Sequence, residues 1–310
     1  MPYELPPMRP PSEARSLLIR VMRGCPWNYC TFCSAYKDVP RKALMRSGED
    51  VKSDIDELRT HCDDMRRQGY VVAPSTAFLA DSNAIVIKTV DLVQIVAHLL
   101  EVFPSLERVT SYGRAKTVLA KDLDELRELR KAGLDRLHLG LESGDDGILE
   151  RVKKGTNSEQ MITAGLRVKE AGFELSEYVM PGLGGREGSQ QHVEGTARVL
   201  NAVDPHYTRV RSLILAPGTP LYQEYEAGRF QAMSLLDVPR EIRALVERLE
   251  ITGRLCFDHF SNPPFLRMDW EGYKFPEEKE EVLSTIDSAL ERRQAHLPNE
   301  GLGPVIGSRL

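Results

Sequence analysis

Short apolar runs alternate along the chain with stretches whose apolar residues recur every three or four positions. The runs lie near 15–22, 71–80, 107–112, 135–141, 173–180 and 207–215, and their composition predicts strands. Between them, Val51, Ile55, Leu58, Cys62 and Met65 mark one face of a first helix, and Leu92, Ile95, Val96 and Leu99 mark a second. Leu123, Leu126 and Leu129 mark a third. It closes on Lys131-Ala132-Gly133, and a fourth closes on Lys169-Glu170-Ala171-Gly172, with glycine as the C-terminal cap. Strands alternating with helices predict an α/β fold with a parallel sheet and helices outside it. Six such units suit an open partial barrel, a TIM-like (β/α)6 arrangement, better than a closed eight-stranded one.

After residue 216 the pattern changes. Pro217-Gly218-Thr219-Pro220 predicts a turn, and helices are expected near 218–228, 238–252 and 277–294. The expected organisation is an N-terminal arm over 1–14, the partial barrel over 15–216, a C-terminal helical extension over 217–296 packed on the barrel, and a loose tail over 297–310. The formal charge of −5 gives no strong pull toward nucleic acid, so an RNA partner is not favoured. Lys37, Arg41, Lys42 and Arg46 form one local basic stretch, read as a solvated loop. No apolar run is long enough to span a bilayer, and the Pro-rich N-terminus has no signal-peptide core. A cytoplasmic protein without a membrane partner is expected.

Five cysteines make an odd number, and three of them crowd together in Cys25-Pro26-Trp27-Asn28-Tyr29-Cys30-Thr31-Phe32-Cys33. In a cytosolic chain this points to metal rather than to disulfides. The spacing C-x4-C-x2-C directly follows the first predicted strand, and short spacings of this kind hold Fe–S clusters. Three thiolates on a four-iron cluster leave one iron open for a small chelating ligand, as a catalytic cluster requires. The alternative is a zinc site, which needs a fourth ligand from Cys62, Cys256 or a distant histidine. Cys62 lies on the apolar stripe of the first helix, which favours a core role for it.

The motif resembles that of the radical S-adenosylmethionine (SAM) superfamily, C-x3-C-x2-C with an aromatic residue before the last cysteine. Phe32 occupies that aromatic position, and the first gap is one residue longer than usual. The resemblance covers most of residues 15–230. Gly140-Leu141-Glu142-Ser143-Gly144, Ile148-Leu149 and Lys153-Lys154-Gly155 resemble the region after the fourth strand in the HemN-like and Elp3-like branch. Met180-Pro181-Gly182-Leu183-Gly184-Gly185 and Leu215-Ala216-Pro217-Gly218-Thr219-Pro220-Leu221 resemble the stretches after the fifth and sixth. The resemblance implies a [4Fe–4S] cluster on Cys25, Cys30 and Cys33, reductive cleavage of SAM to a 5′-deoxyadenosyl radical, and an electron donor of the flavodoxin or ferredoxin type.

In a parallel β/α barrel the active site lies at the C-terminal ends of the strands. The strand reading alone places Cys25, Cys30 and Cys33 after strand one, and Asp81, Ser82 and Asn83 after strand two. Tyr112 and Arg114 follow strand three, Glu142 and Ser143 follow strand four, and Tyr178 closes strand five. Arg209 and Arg211 alternate on strand six and so face one side. SAM carries an ammonium, a carboxylate and ribose hydroxyls, which carboxylates, amides and cations recognise. The family turn after strand two is Gly-rich and holds the methionyl amine. Here it reads Ala80-Asp81-Ser82-Asn83-Ala84 and lacks the glycines, leaving Asp81, Ser82 and Asn83 as the polar candidates. The resemblance puts Glu142 at a ribose-contacting position and Lys154 where a carboxylate-binding arginine stands. Tyr178 replaces an acidic residue of that branch.

Each of these residues also has a structural reading. Asp81-Ser82-Asn83 would serve as a helix N-cap, Lys154 as a solvated lysine, and Tyr112 and Tyr178 as core aromatics. Arg209 and Arg211 would pair with barrel carboxylates. The substrate expected is a small or medium organic molecule. The His-Ile-Pro-Phe-Cys lead-in of HemN is missing, no second cysteine cluster follows, and no appended acetyltransferase, cobalamin or RNA-binding module is expected. Cys256, in the polar segment Cys256-Phe257-Asp258-His259-Phe260-Ser261-Asn262, is a candidate hydrogen donor at the barrel mouth, against the reading of that segment as a connector. The alternatives are a radical SAM enzyme acting on RNA and a non-enzymatic zinc or Fe–S protein.

Overall fold

A computed structural model of the chain describes residues 8–37, 43–294 and 303–307. All six predicted runs carry strands: β1 (Leu17–Arg20), β2 (Thr76–Ala80), β3 (Arg108–Gly113), β4 (Leu134–Glu142), β5 (Glu174–Val179) and β6 (Tyr207–Val210). The intervening helices are α1 (Gly48–Arg67), α2 (Thr89–Val102), α3 (Ala115–Ala120), α4 (Leu123–Lys131), α5 (Asp146–Arg151), α6 (Ser158–Glu170) and α7 (Ser189–Val203). After β6 come α8 (Pro220–Glu226), α9 (Asp237–Arg248), β7 (Arg254–Cys256), β8 (Tyr273–Lys274) and α10 (Lys279–Gln294). Strand order follows chain order. The β1–β2, β2–β3, β3–β4, β5–β6 and β6–β7 pairs are parallel, and β8 runs antiparallel to β7. Parallel neighbours need a crossover, which the helices supply.

The stretch after residue 216, expected to be helical, therefore also contributes two strands. Leu255 and Cys256 of β7 are buried beside β6. A three-residue strand offers too few positions for an alternating pattern to show in the sequence. Of the stretch expected to be a loose tail, residues 303–307 are described, and Ile306 forms a parallel bridge with Leu215. That part is held by backbone pairing. Arg41 and Lys42 of the basic stretch lie outside the described residues, whereas Arg46 bonds the Asp54 carboxylate and the carbonyl of Arg20.

The chain divides into two compact units. The first comprises Met1–Asn28, Asp38–Leu139 and Leu166–Leu175. Its helices follow the predicted stripes: Leu92, Ile95, Val96 and Leu99 of α2 are all fully buried. Ser47 caps α1 by accepting from the amide of Asp50, and Asp122 with Glu125 forms a capping box on α4. Gly133 ends α4 at φ +107°, where a side chain would be strained. Among the described residues no helix is long and apolar enough to cross a membrane.

The N-terminal arm contributes one charged group to the core of this unit. Glu13 is fully buried, accepts a 2.6 Å hydrogen bond from Ser16, and lies 3.5 Å from His138 Nε2 and 3.6 Å from Arg108. Burial by itself raises its pKa, but the bonds and charge of His138, with Ser16 and Arg108, outweigh that and hold it at about 2. The stabilisation is therefore complete above the ordinary value of 4.5 and is lost as pH falls toward 2. Glu13→Gln is expected to remove that acid dependence and to cost about 3–5 kcal/mol at neutral pH, because Arg136, 4.0 Å away, and His138 stay buried without the carboxylate. Urea unfolding at several pH values checks both effects; parallel pH profiles for the two proteins would refute them.

The second unit comprises Tyr29–Lys37, Gly140–Gly165 and Ser176–Leu310. Helices α7, α9 and α10 pack in sequence within it. Gly144 lies against α7: a Cβ there would come within 2.1 Å of the Gly195 carbonyl oxygen, so only glycine allows this approach.

Candidate active site

In the first unit, Asp81 and Ser82 among the sequence-predicted residues meet the start of the cysteine loop. Gly24 turns the chain out of β1 at φ +81°. Its amide donates to Asp81 Oδ2 at 3.1 Å, and its carbonyl accepts from Ser82 Oγ at 2.7 Å. Two side chains from the end of β2 thus hold both backbone groups of the residue before Cys25. Asp81 is buried, which pushes its carboxyl pKa up against the opposing pull of Arg20, 3.5 Å away. Asn83 is also buried; its Oδ1 accepts from the amide of Arg114 and its Nδ2 donates to Thr117. Its amide is committed to joining the ends of β2 and β3. The segment makes no side-chain helix cap, so the capping reading fails there as well.

Trp27, inside the cysteine motif, is contacted by two cations, with Arg114 at 5.2 Å and Lys116 at 5.3 Å from its ring. Tyr112 meets Phe78 edge-on at 5.1 Å and His138 at 5.9 Å. It stands, half-buried, in an aromatic cluster.

In the second unit, the Cys30–Cys33 segment is seated on an apolar bed. Phe32 packs with Ile148, Val152, Met180, Leu183, Leu215 and Leu221, and Cys30 and Cys33 lie against the edge of this cluster. The bed comes from the stretches after β4, β5 and β6 that carry the family resemblance. Two backbone bonds strap the segment down: the Thr31 amide to the Val152 carbonyl at 2.9 Å, and the Leu221 amide to the Thr31 carbonyl at 3.0 Å. Cys25, Cys30 and Cys33 are partly exposed and in no disulfide, whereas Cys62 and Cys256 are buried. Among the described residues no three His, Cys, Asp or Glu side chains are grouped to hold one metal ion. Ligands of a four-iron cluster each take a separate iron and need not meet at one point.

Glu142 ends β4 in the left-handed region at φ +64°, and Lys154 Nζ donates to its Oε1 at 2.8 Å. Both are largely buried, so Lys154 is no solvated lysine. A Cβ on Gly140 would come within 2.2 Å of Glu142 Oε1, which explains a glycine inside a strand. Ser143 does not face this pair. It is fully buried, with its Oγ 3.0 Å from His192 Nδ1 and accepting from the Asp145 amide. His192 Nε2 lies 3.9 Å from Glu241, which accepts from the Gly182 amide at 2.6 Å. Burial lowers His192 to about 4 and raises Glu241 to about 7. These buried groups lie between the stretch after β4 and the stretch after β5. Sequence reading missed it, because His192 and Glu241 sit on helices without a motif. Glu241 also lines a cleft of about 900 Å³ between α7 and α9, which none of the sequence-predicted site residues lines.

Tyr178, Arg209 and Cys256 occupy one register row across β5, β6 and β7. Arg209 and Arg211 both bond Asp258, at 2.6 and 2.7 Å through separate carboxylate oxygens. Burial opposes ionisation of Asp258, but the two guanidinium groups outweigh it and hold its pKa below the ordinary value. Arg211 also lies over the ring of Tyr178 at 4.9 Å. The Cys256 thiol is fully buried, and burial pushes it up to about 11, so it is a neutral thiol. Asp258 was missed in the sequence, where it reads as one polar residue in a connector.

A family model for the radical SAM superfamily matches residues 19–200. Among curated proteins, the chain is 31% identical over 107 residues to the heme chaperone HemW of Bacillus subtilis, an overlap of 34% of this chain and 28% of that one. It is 27% identical over 109 residues to a tRNA uridine(34) acetyltransferase of Methanocaldococcus infernus, covering 34% and 20%. The chain thus spans less than a third of the length of either relative. Among solved structures, coproporphyrinogen III oxidase (HemN) from Escherichia coli aligns with a TM-score of 0.55 at 17% identity, covering 76% of this chain and 54% of that one. Elp3 of Methanocaldococcus infernus aligns with a TM-score of 0.52 at 15% identity, covering 88% and 63%. These structural likenesses show the fold, a mostly parallel partial barrel. The family model covers more than half of the 310 residues, and this protein belongs to the radical SAM superfamily, whose enzymes use a [4Fe–4S] cluster and S-adenosylmethionine.

Proposed function

We propose that Cys25, Cys30 and Cys33 hold the cluster and that the enzyme directs SAM-derived radical chemistry to a small or medium organic substrate. Once bound, the cluster and SAM supply a 5′-deoxyadenosyl radical that abstracts hydrogen. The observation that carries this reading is the seating of the cysteine segment. Phe32 is sunk in an apolar bed and Thr31 is bonded on both sides, while the adjoining thiols stay partly exposed. A structural cysteine would be buried like Cys62; ligands for an added group need rigid support and access. Asp81 and Ser82 act through Gly24, fixing the loop before Cys25. Their part is positioning rather than direct contact. Glu142 and Lys154 are a preformed pair whose carboxylate and ammonium suit the ribose hydroxyls and carboxylate of SAM. Tyr178, Arg209 and Arg211 serve the substrate side.

The test is anaerobic reconstitution with iron and sulfide, followed by dithionite and SAM. Formation of 5′-deoxyadenosine is the expected result. Zinc in place of iron in the purified protein, with no 5′-deoxyadenosine, would defeat the proposal. A second reading, action on RNA, is favoured by the match to a tRNA uridine(34) acetyltransferase. A mobility shift of tRNA at physiological salt would support it over the small-molecule reading.

A further inference from the structure

The ends of β5, β6 and β7 hold two buried cations on a single carboxylate. Arg209 is 1% exposed and Arg211 12%, and Asp258 is fully buried between them. Arginine stays protonated, so the cluster carries a net positive charge. The nearest titratable groups facing it add no compensating charge. Cys256 is a neutral thiol, and His259 is held at about 4 by burial and by Arg211, hence neutral. Tyr178 and Tyr207 present ring faces to the two guanidinium groups. Asp269, near Cys256, lies 3.9 Å from Arg267.

The hydrogen bonding is uneven as well. Arg209 bonds Asp258 and donates from Nε to Ser176 at 3.2 Å. Arg211 spends Nη1 on Asp258 and on the Val210 carbonyl. Its Nη2 is buried and has no hydrogen-bond partner among the described residues. A buried donor without a partner, on a charge only half neutralised, is unfavourable unless a ligand completes it. The fork of a guanidinium matches the paired oxygens of an oxyanion. Ligands of parallel α/β sheets bind at these strand ends.

We propose that Arg211, oriented by Asp258 across the ring of Tyr178, seats an oxyanion of the substrate, a carboxylate or a phosphate group. The assignment rests on the radical SAM reading of the strand ends. It predicts a substrate that is an acid.

The test is calorimetric titration of the full chain with malonate and, separately, inorganic phosphate, at constant ionic strength, with malonamide as the uncharged control. Saturable binding of one or both anions is expected, and none of malonamide. The stronger anion identifies carboxylate or phosphate as the natural group. Arg211→Met is expected to weaken that binding at least tenfold, and Arg211→Lys, which keeps the charge but loses the fork, at least threefold. If Arg211→Met does not fold, Arg211→Lys decides. Absence of saturable binding to the native protein, or equal binding by the native protein and the variants, would overturn the proposal. So would competitive displacement of the anion by S-adenosylhomocysteine, which would place the anion in the SAM site. None of these results bears on 5′-deoxyadenosine formation by the reconstituted native protein, so failure here is separable from failure of the enzyme reading.

Discussion

Alanine at Cys25, Cys30 or Cys33 is expected to leave the reconstituted protein colourless, without stoichiometric iron and sulfide, and without detectable 5′-deoxyadenosine. A thiolate ligand has no substitute in a methyl group, and a three-ligand cluster has none to spare. The loss should be chemical rather than a failure to fold. The three thiols are partly exposed, and Phe32 and the Thr31 backbone bonds, not the sulfurs, anchor the segment. Unfolding free energies of the apo variants from urea titration should therefore lie within about 1 kcal/mol of the parent. Cys62→Ala is the matched control. Its side chain is buried on α1, so it should lose some stability and keep its cluster. A full iron complement in any of the three motif variants would show that another residue is the ligand.

The second large effect is expected at Asp258. Asp258→Ala leaves Arg209 and Arg211 charged, adjacent and buried with no counter-ion. Removing one member of a buried ionic network costs about 3–5 kcal/mol, because the remaining charge cannot return to water. Asp258→Asn keeps an acceptor for one guanidinium but removes the negative charge, and should fall between the two. The measurement is equilibrium urea unfolding of the apo proteins at pH 7. A loss below about 1 kcal/mol for the alanine variant would mean that the guanidinium groups reach solvent, as exposed pairs do. High concentrations of malonate or phosphate should restore part of the lost stability, since a bound anion replaces the missing charge.

Most of the scaffold was legible in the sequence because it is local. The α2 stripe Leu92, Ile95, Val96 and Leu99 is a period, and the glycine at 133 is a conformational requirement; both are readable without a partner. β7 was not legible, since three residues carry no period and its partner β6 lies more than forty residues earlier. The candidate site divides the same way. The cysteine spacing is a covalent fact of the chain, and Arg209 and Arg211 share a face by strand parity. Which groups meet those side chains is a different matter. Ser143 and Asn83 looked like site residues by position, yet their polar atoms are turned inward to His192 and to Thr117 and Arg114.

By itself the sequence determined the order of the six strands β1 to β6 and the helical stretches between them, the cysteine motif with its aromatic at Phe32, and the set of polar residues at strand ends. Those properties follow from near neighbours along the chain. Only the tertiary structure decided how these groups are used. It turned Asp81 and Ser82 into a clamp on Gly24, paired Lys154 with Glu142, and brought Asp258 across forty-seven positions to Arg211. Each of those outcomes depends on burial and on long-range pairing, which no stretch of chain encodes until the sheet has formed.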